Sequence, residues 1–329
     1  MEERAFWVSP GRGEIRPVDV DEPTLGQVRV RSLRSAVSRG TETLVFRGAV
    51  PPDQHERMRA PHQDGDFPGP VKYGYLSVGV VEAGDLSLLG KTVFCLHPHQ
   101  TAYVVPVADV TVVPDGVPAD RAVLGGTVET AVNALWDAAP MVGDRVTVVG
   151  AGMVGCCVAR LLSRIPGIDV TLVDVDPTRA EIAESLDVAF AHPSEAAGGR
   201  DLVIHASATA AGLQRSLELL APDGEVVDLS WYGDTPVRLD LGGAFHSSRL
   251  RIRSSQVGEV ALHRRHRRTR AERLALALEL LRDPAFDVLF TGASAFEELP
   301  ELMADLSAGR RSALCHTITY PGHLDQGAT

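Results

Sequence analysis

The sequence runs to 329 residues, a length that predicts about two domains of roughly 150 residues each. Hydrophobic residues make up 44% and charged residues 23%, a balance that excludes overall disorder. The net charge of −11 excludes general nucleic-acid binding, and no apolar run reaches the roughly 18 residues of a membrane span. Cys95, Cys156, Cys157 and Cys315 form no Cys-x-x-Cys pair, so neither a dense disulfide framework nor a multi-cysteine zinc module is expected. The N-terminal Met-Glu-Glu-Arg-Ala-Phe-Trp has no apolar h-region, so no secretory signal is expected and a reduced, cytoplasmic setting fits.

In chain order, residues 1–118 read as β-rich. Short β-branched runs at 27–31, 76–81 and 101–105 are broken by Gly, Pro and Asp. Residues 51–70, polar and rich in Pro, His and Asp, read as a long loop. From 119 onward strands and helices alternate. The stretch 119–136 is helical in pattern, 144–149 a buried strand, 153–164 an apolar helix and 169–173 a second strand. Asp176-Pro177 opens the next helix, with Asp as N-cap and Pro in the first turn. Strands follow at 201–205 and 225–229, separated by a helix at 213–220. This order predicts a parallel, doubly wound sheet. A capping box, Thr269 with Glu272, starts a helix whose stripe is Leu274, Leu278 and Leu281. Residues 289–320 read as a strand, a helix and a final strand. Between Arg249 and Arg270 stand eight arginines and one acid, Glu259, a net of +7 that leaves −18 on the rest of the chain. That segment reads as a solvated or intersubunit face, or as an anion site.

Gly150-Ala151-Gly152-Met153-Val154-Gly155 is a G-x-G-x-x-G element between a strand and a helix. The first glycine permits the tight turn, the second lets the backbone approach a pyrophosphate, and the third lets helix and strand pack closely. The phosphates then sit on the helix N-terminus. Asp174 ends the second strand, 24 residues beyond Gly150. A carboxylate there accepts from ribose hydroxyls and repels a 2′-phosphate, which favours NAD over NADP; Arg179, close by, keeps NADP open.

A β-rich start, a mid-chain nucleotide-binding segment and a C-terminal return resemble the medium-chain dehydrogenase/reductase superfamily over nearly the whole chain. The resemblance implies an α/β protein: a GroES-like β-rich catalytic domain (1–118, completed by 261–329) plus a doubly wound Rossmann domain (119–260), with the active site in the cleft between them. Ser38-Arg39-Gly40-Thr41-Glu42 with Gly48 resembles the family's Cys-Gly-Thr-Asp element, and Gly74-Tyr75-Leu76-Ser77-Val78-Gly79 its Gly-His-Glu-x-x-Gly element. Leu124-Gly125-Gly126 falls where zinc members carry their third ligand. Arg39, Tyr75 and Gly125 or Gly126 therefore stand at the ligand positions, which is no zinc set. The chain resembles a zinc-free member, and Ser38–Glu42 with Arg253–Gly258 resemble the subgroup of bacteriochlorophyllide dehydrogenase.

Without zinc, side chains must polarise the substrate C–O bond and move its proton. Thr41 matches the family's hydroxyl relay position. Tyr75 offers a phenol, and Glu129 a carboxylate whose pKa burial would raise. Arg39 can bind an anionic substrate group or neutralise Glu42 or Glu129. His97 and His99 flank Pro98 beside the expected pocket, as imidazole shuttles or as exposed loop residues. On the cofactor side the resemblance implies Thr130, Asp174, Arg179, Ala206, Ser207, Ser230 and Gln256, added to Gly150, Gly152, Met153, Val154 and Gly155. Cys156 and Cys157 read as small buried hydrophobes. The expectation is a zinc-independent, NAD-dependent oxidoreductase acting on a small alcohol or carbonyl compound. It is expected to be a homodimer with no metal, nucleic-acid or membrane partner. A non-catalytic polyanion-binding protein and an NADPH-dependent alkene reductase are the alternatives.

Overall fold

The computed structural model describes residues 2–321. They divide into two compact units, one of residues up to Gly126 together with those from Phe290, the other Thr127–Leu289. No helix among the described residues is long and apolar enough to cross a membrane.

The spine of the first unit is the 11-residue strand Gln27–Val37. Its side chains alternate, as a pleated strand requires, so Val28 and Val30 pack with Val81, Val93, Cys95, Tyr103 and Val105 in one core. The strand pairs antiparallel with Ser77–Gly84, Ala102–Pro106 and Cys315–Thr319. Ile318 lies opposite Ser35, so the end of the chain is stitched to its beginning. Gly79 permits a close approach: a Cβ there would stand 2.3 Å from the Arg31 carbonyl oxygen. A second sheet runs Arg12–Pro17, Arg4–Ser9, Val71–Lys72, Asp64–Gly65. Residues 51–70 are mostly turn and loop, with the short helix Pro52–Gln54.

The second unit holds a six-stranded parallel sheet in the spatial order Ala189–Ala191, Asp169–Val173, Arg145–Val149, Arg200–His205, Leu220–Asp228, Arg251–Ser254. Its central strands are buried on both faces. Val146, Thr147 and Val148 are all inaccessible, which is why this run lacks polar alternation. Strand order reverses between Arg145–Val149 and Arg200–His205, the switch point where open α/β sheets bind ligands.

Several element bounds differ from the sequence-based expectation. The stretch 119–136 is two helices, Ala119–Ala122 and Gly125–Ala138, with Gly126 pressed so near Leu76 that a Cβ would come within 2.7 Å. The helix after Pro177 starts at Arg179, because Asp176 does not cap it but accepts the N–H and hydroxyl of Thr178 in a tight turn. The helix expected at 213–220 is Ala210–Glu218, and the strand after it starts at Leu220.

The compact units also divide at 126/127 and 289/290, not at 118/119 and 260/261. Helix Ala119–Ala122 packs on strands Gln27–Val37 and Ser77–Gly84. Residues 261–289 stay with the parallel sheet because helix Arg270–Leu280 carries Arg273, which is buried at 1% exposure. Arg273 pairs with buried Glu129 at 3.0 Å and donates to Asn133 and to the carbonyls of Val257 and Glu259. Removing one partner of such a pair leaves a buried charge alone. Arg273→Met is expected to destabilise the protein by about 3–5 kcal/mol, read as a lowered urea midpoint. The double variant Glu129→Leu/Arg273→Met is expected to recover much of that loss.

Candidate active site

The G-x-G-x-x-G turn lies between strand Arg145–Val149 and helix Met153–Ser163. Gly150 has φ +108°, and a Cβ on it would meet the backbone of Ala206 and Ser207 at 2.7–2.8 Å. A Cβ on Gly155 would stand 1.9 Å from the Gly150 carbonyl oxygen. Gly152, by contrast, has nothing within 4 Å of its Cβ position, so the turn is open on that side. Gly152 is also the N-cap and supplies no side-chain acceptor, leaving the N–H groups at Met153 and Val154 for an anion. Asp174 sits at the edge of the turn, half-buried, accepting Ala151 N–H at 2.7 Å and Asp176 N–H at 2.9 Å. Each oxygen keeps a second lone pair. Arg179 is turned onto Asp176 at 3.2 Å.

Beside this turn, strand ends bring together Ala206, Ser207 and Ser230. They also bring His205, Asp228 and Tyr232, which sequence reasoning missed. Fully buried His205 bonds Asp228 through Nδ1 at 2.9 Å and Ser207 through Nε2 at 2.7 Å. Burial pulls the Asp228 carboxyl upward, but bonds from His205, the Ser230 N–H and Tyr232 outweigh it and hold it below the usual carboxylate range. Burial beside Asp228 raises the Tyr232 phenol. Thr130 is half-buried on helix Gly125–Ala138. Gln256 is exposed, and its Oε1 accepts the N–H of Gly258 at 2.7 Å, so its side chain serves its own turn.

The first unit gathers a second polar cluster where helix Arg39–Phe46 begins. Glu42 reaches back to accept Ser38 N–H at 2.7 Å. The Ser38 hydroxyl does not cap the helix and instead accepts from Tyr75 OH at 2.6 Å, and the Thr41 hydroxyl is close enough to favour the Tyr75 phenolate slightly. Burial and the neighbouring Glu42 push the Tyr75 phenol up to about 12, so it holds its proton at neutral pH. The other Glu42 oxygen faces His99 Nε2 at 3.0 Å, His99 Nδ1 faces Ser35 at 2.7 Å, and Ser35 faces Tyr320 at 2.8 Å. A carboxylate only accepts. With Glu42 ionised the chain therefore runs donor to acceptor from Tyr320 through Ser35 and His99 to Glu42. Gly74 makes room for it: at φ +130°, its Cβ would meet the His99 ring at 2.8 Å.

Among the expected catalytic groups, the structure brings Thr41 and Tyr75 together. The readings of four other residues need correction. Glu129 pairs with Arg273, not with Arg39, and burial raises its carboxyl even against that guanidinium. Arg39 is exposed and neutralises neither Glu42 nor Glu129. His97 and His99 are buried at 5% and 1% exposure rather than exposed on a loop. The His97 ring stacks on Tyr103 with centroids 3.7 Å apart, and its Nδ1 lies 2.9 Å from the Pro98 carbonyl. Nδ1 therefore donates, and Nε2 keeps a lone pair. Burial drives the His97 pKa well below its ordinary value. Ser38, Glu42, Ser35 and Tyr320 were also missed as site residues. Glu42 lies within the quoted motif, but Tyr320 is 285 positions from Ser35 and carries no local signal.

All four cysteines are buried and free, and burial raises the Cys156 and Cys315 thiols to about 12. The basic segment is partly neutralised: Arg249 pairs with Asp223, Arg253 with Glu225 and Arg270 with Glu259, while Arg264 lies over the Trp136 ring. No group of three His, Cys, Asp or Glu placed to hold a metal occurs among the described residues.

No protein-family model matches the sequence. The chain is 25% identical over 262 residues, 69% of its length, to D-guloside 3-dehydrogenase of Shigella flexneri, covering 73% of that protein. Its fold is similar to that of an alcohol dehydrogenase of Escherichia coli solved with NADH, with a TM-score of 0.77 and 17% identity over 97% of this chain and 99% of the other. It is equally similar, at TM-score 0.77 and 16% identity over 97% and 99%, to a protein of Sinorhizobium meliloti described as a zinc-binding dehydrogenase and solved with NADP. The fold is thus that of these dehydrogenases, a GroES-like unit with a Rossmann unit.

A histidine held neutral by the fold costs stability in acid. The unfolded chain takes up a proton near the ordinary value of about 6.5, while folded His97 does not, so stability falls as pH drops below that value. Burial lowers His62 and His316 in the same direction. His97→Phe, which preserves the stack on Tyr103, is expected to flatten the slope of Tm between pH 6.5 and 5, measured by thermal melts; an unchanged slope counts against a neutral His97.

Proposed function

We propose that the protein is a nicotinamide-dependent oxidoreductase that interconverts a secondary alcohol and its carbonyl form, prefers NAD, and works without a catalytic zinc. One observation carries the reading: the glycine turn at the sheet's switch point, open over Gly152, with uncapped helix N–H groups and Asp174 at its edge. A pyrophosphate fits that opening, where any side chain would stand in its way. Gly150, Gly152, Met153, Val154 and Gly155 hold the pyrophosphate. Asp174 accepts the ribose hydroxyls of the adenosine half. Thr130, Arg179, Ala206, Ser207, Ser230 and Gln256 are assigned to the rest of the dinucleotide.

The dinucleotide, when bound, supplies or takes the hydride. The chain's own residues manage the proton on the substrate oxygen. Tyr75, protonated at neutral pH, donates to Ser38, and with Thr41 it forms a hydroxyl cluster that can present a donor to a carbonyl oxygen. The Glu42 carboxyl group, linked through His99 and Ser35 to Tyr320, offers a buried acceptor line for a proton leaving an alcohol. His97, with its free Nε2 lone pair, is a second acceptor. The resembled family's zinc positions carry Arg39, Tyr75 and Gly125 or Gly126, and a guanidinium, a phenol and a glycine are no zinc ligand set. This supports the metal-free reading. The similarity to an enzyme that oxidises a guloside supports a polyhydroxylated or secondary-alcohol substrate. The resemblance of Ser38–Glu42 and Arg253–Gly258 to the bacteriochlorophyllide dehydrogenase subgroup supports a ring alcohol.

Titration with NADH and NADPH, followed by nicotinamide fluorescence, tests the reading. NADH is expected to bind more tightly, and Asp174→Ser to narrow the gap; absence of binding by either dinucleotide sinks the proposal. Tyr75→Phe is expected to lower kcat by about 10²-fold or more with dinucleotide Kd unchanged. Metal analysis of the active protein is expected to find no stoichiometric zinc.

A further inference from the structure

The strand ends of the second unit hold a Ser–His–Asp arrangement. His205 Nδ1 lies 2.9 Å from Asp228 Oδ1, and His205 Nε2 lies 2.7 Å from Ser207 Oγ. Asp228 also accepts Ser230 N–H and Tyr232 OH, each at 2.9 Å. An ionised carboxylate only accepts, so His205 Nδ1 carries a proton, and in the neutral imidazole Nε2 then keeps its lone pair. That lone pair takes the hydroxyl proton of Ser207. Thr209 Oγ1 accepts Gly212 N–H at 3.0 Å, leaving its own proton for Ser207 Oγ, also at 3.0 Å. Ser207, half-buried, is left with one lone pair and no proton to give.

In a hydrolase the same order of residues activates a nucleophile. Two observations point elsewhere. Ser207 Oγ is roofed by Gly212, whose Cβ position lies only 2.1 Å away. The Ser207 backbone is pressed against Gly150, whose Cβ would meet it at 2.7–2.8 Å, so the hydroxyl stands beside the nucleotide turn.

We infer that His205 and Asp228 are positioning residues that make Ser207 an acceptor-only oxygen, reading a sugar hydroxyl of the bound dinucleotide rather than a phosphate oxygen. A ribose hydroxyl brings the proton this oxygen lacks, whereas an ionised phosphate would meet it lone pair to lone pair. This rests on the dehydrogenase reading and adds to it the hydrogen-bond polarity of one contact. Asp228→Asn removes the constraint: an amide can donate to Nδ1, which moves the imidazole proton to Nε2 and frees the Ser207 proton.

The test compares the Kd of NADH with those of analogues in which a ribose hydroxyl of the nicotinamide half or of the adenosine half is replaced by fluorine, which can accept but not donate a hydrogen bond, for the wild type, S207A and D228N. The wild type is expected to bind one analogue about tenfold more weakly, the worth of one hydrogen bond. In S207A and D228N, with circular dichroism confirming the fold, that preference is expected to fall to within twofold. If D228N does not fold, S207A still decides whether the hydroxyl reads the sugar, and His205→Gln then tests the positioning role. An S207A protein that keeps the wild-type preference overturns the inference. So does a folded D228N or His205→Gln protein that keeps it, a wild type indifferent to both analogues, or p-nitrophenyl acetate hydrolysis abolished in S207A. Failure of the wild type to bind any nicotinamide dinucleotide sinks the dehydrogenase reading itself and this inference with it, an outcome distinct from binding without preference.

Discussion

Close approach to glycine backbone, where any Cβ would collide, is the constraint on which both candidate sites depend. At Gly150 and Gly155 the turn, the helix after it and the neighbouring strand end come so near that any Cβ would overlap main-chain atoms. That contact sets Ser207 beside the turn and leaves the Gly152 side clear. In the first unit Gly74 does the same for the His99 ring, and Gly79 lets strand Ser77–Gly84 lie on Gln27–Val37. The missing side chains position the functional groups. Interiors are packed too densely to absorb even one added carbon without displacing a neighbour.

Buried charge is the second organising element. Glu129–Arg273, Glu42–His99 and Asp228–His205 each place a carboxylate away from water against a basic side chain. Such pairs add little net stability, because desolvation offsets most of the attraction, but they are costly to break and so hold geometry. They differ in what they reach. Glu129 and Arg273 tie helix Gly125–Ala138 to helix Arg270–Leu280 and end there. The other two pairs pass their hydrogen bonds on to hydroxyls, Ser35 and Tyr320 in one case and Ser207 in the other. An imidazole between a carboxylate and a hydroxyl has a defined tautomer, so the hydroxyl gains a defined polarity.

Local chemistry made much of the molecule legible in advance. The G-x-G-x-x-G element was readable because its glycines are needed by a turn lying within six consecutive residues. The capping box of Thr269 and Glu272 was readable because both bonds close within one helical turn. The buried strand at Arg145–Val149 announced itself as an unbroken β-branched run. Glu129 illustrates the opposite case. Its burial was anticipated, but its partner sits 144 positions away, and nothing near either residue announces the pair. His97 and His99 read as exposed loop residues or as shuttles, and the loop is there, but their rings are buried against Tyr103 and Glu42.

What the sequence by itself determined was the alternation of elements and the glycine turn with its acid at Asp174. Each depends on residues close together in the chain, where steric and hydrogen-bonding rules act locally. Only the tertiary structure decided which acid meets which base, that residues 261–289 stay with the parallel sheet, and that His205, Asp228 and Ser207 form one hydrogen-bonded line. Those outcomes depend on strand order and on packing between distant segments. A polar side chain takes whichever partner the fold carries within about 3 Å of it, and sequence distance says nothing about that.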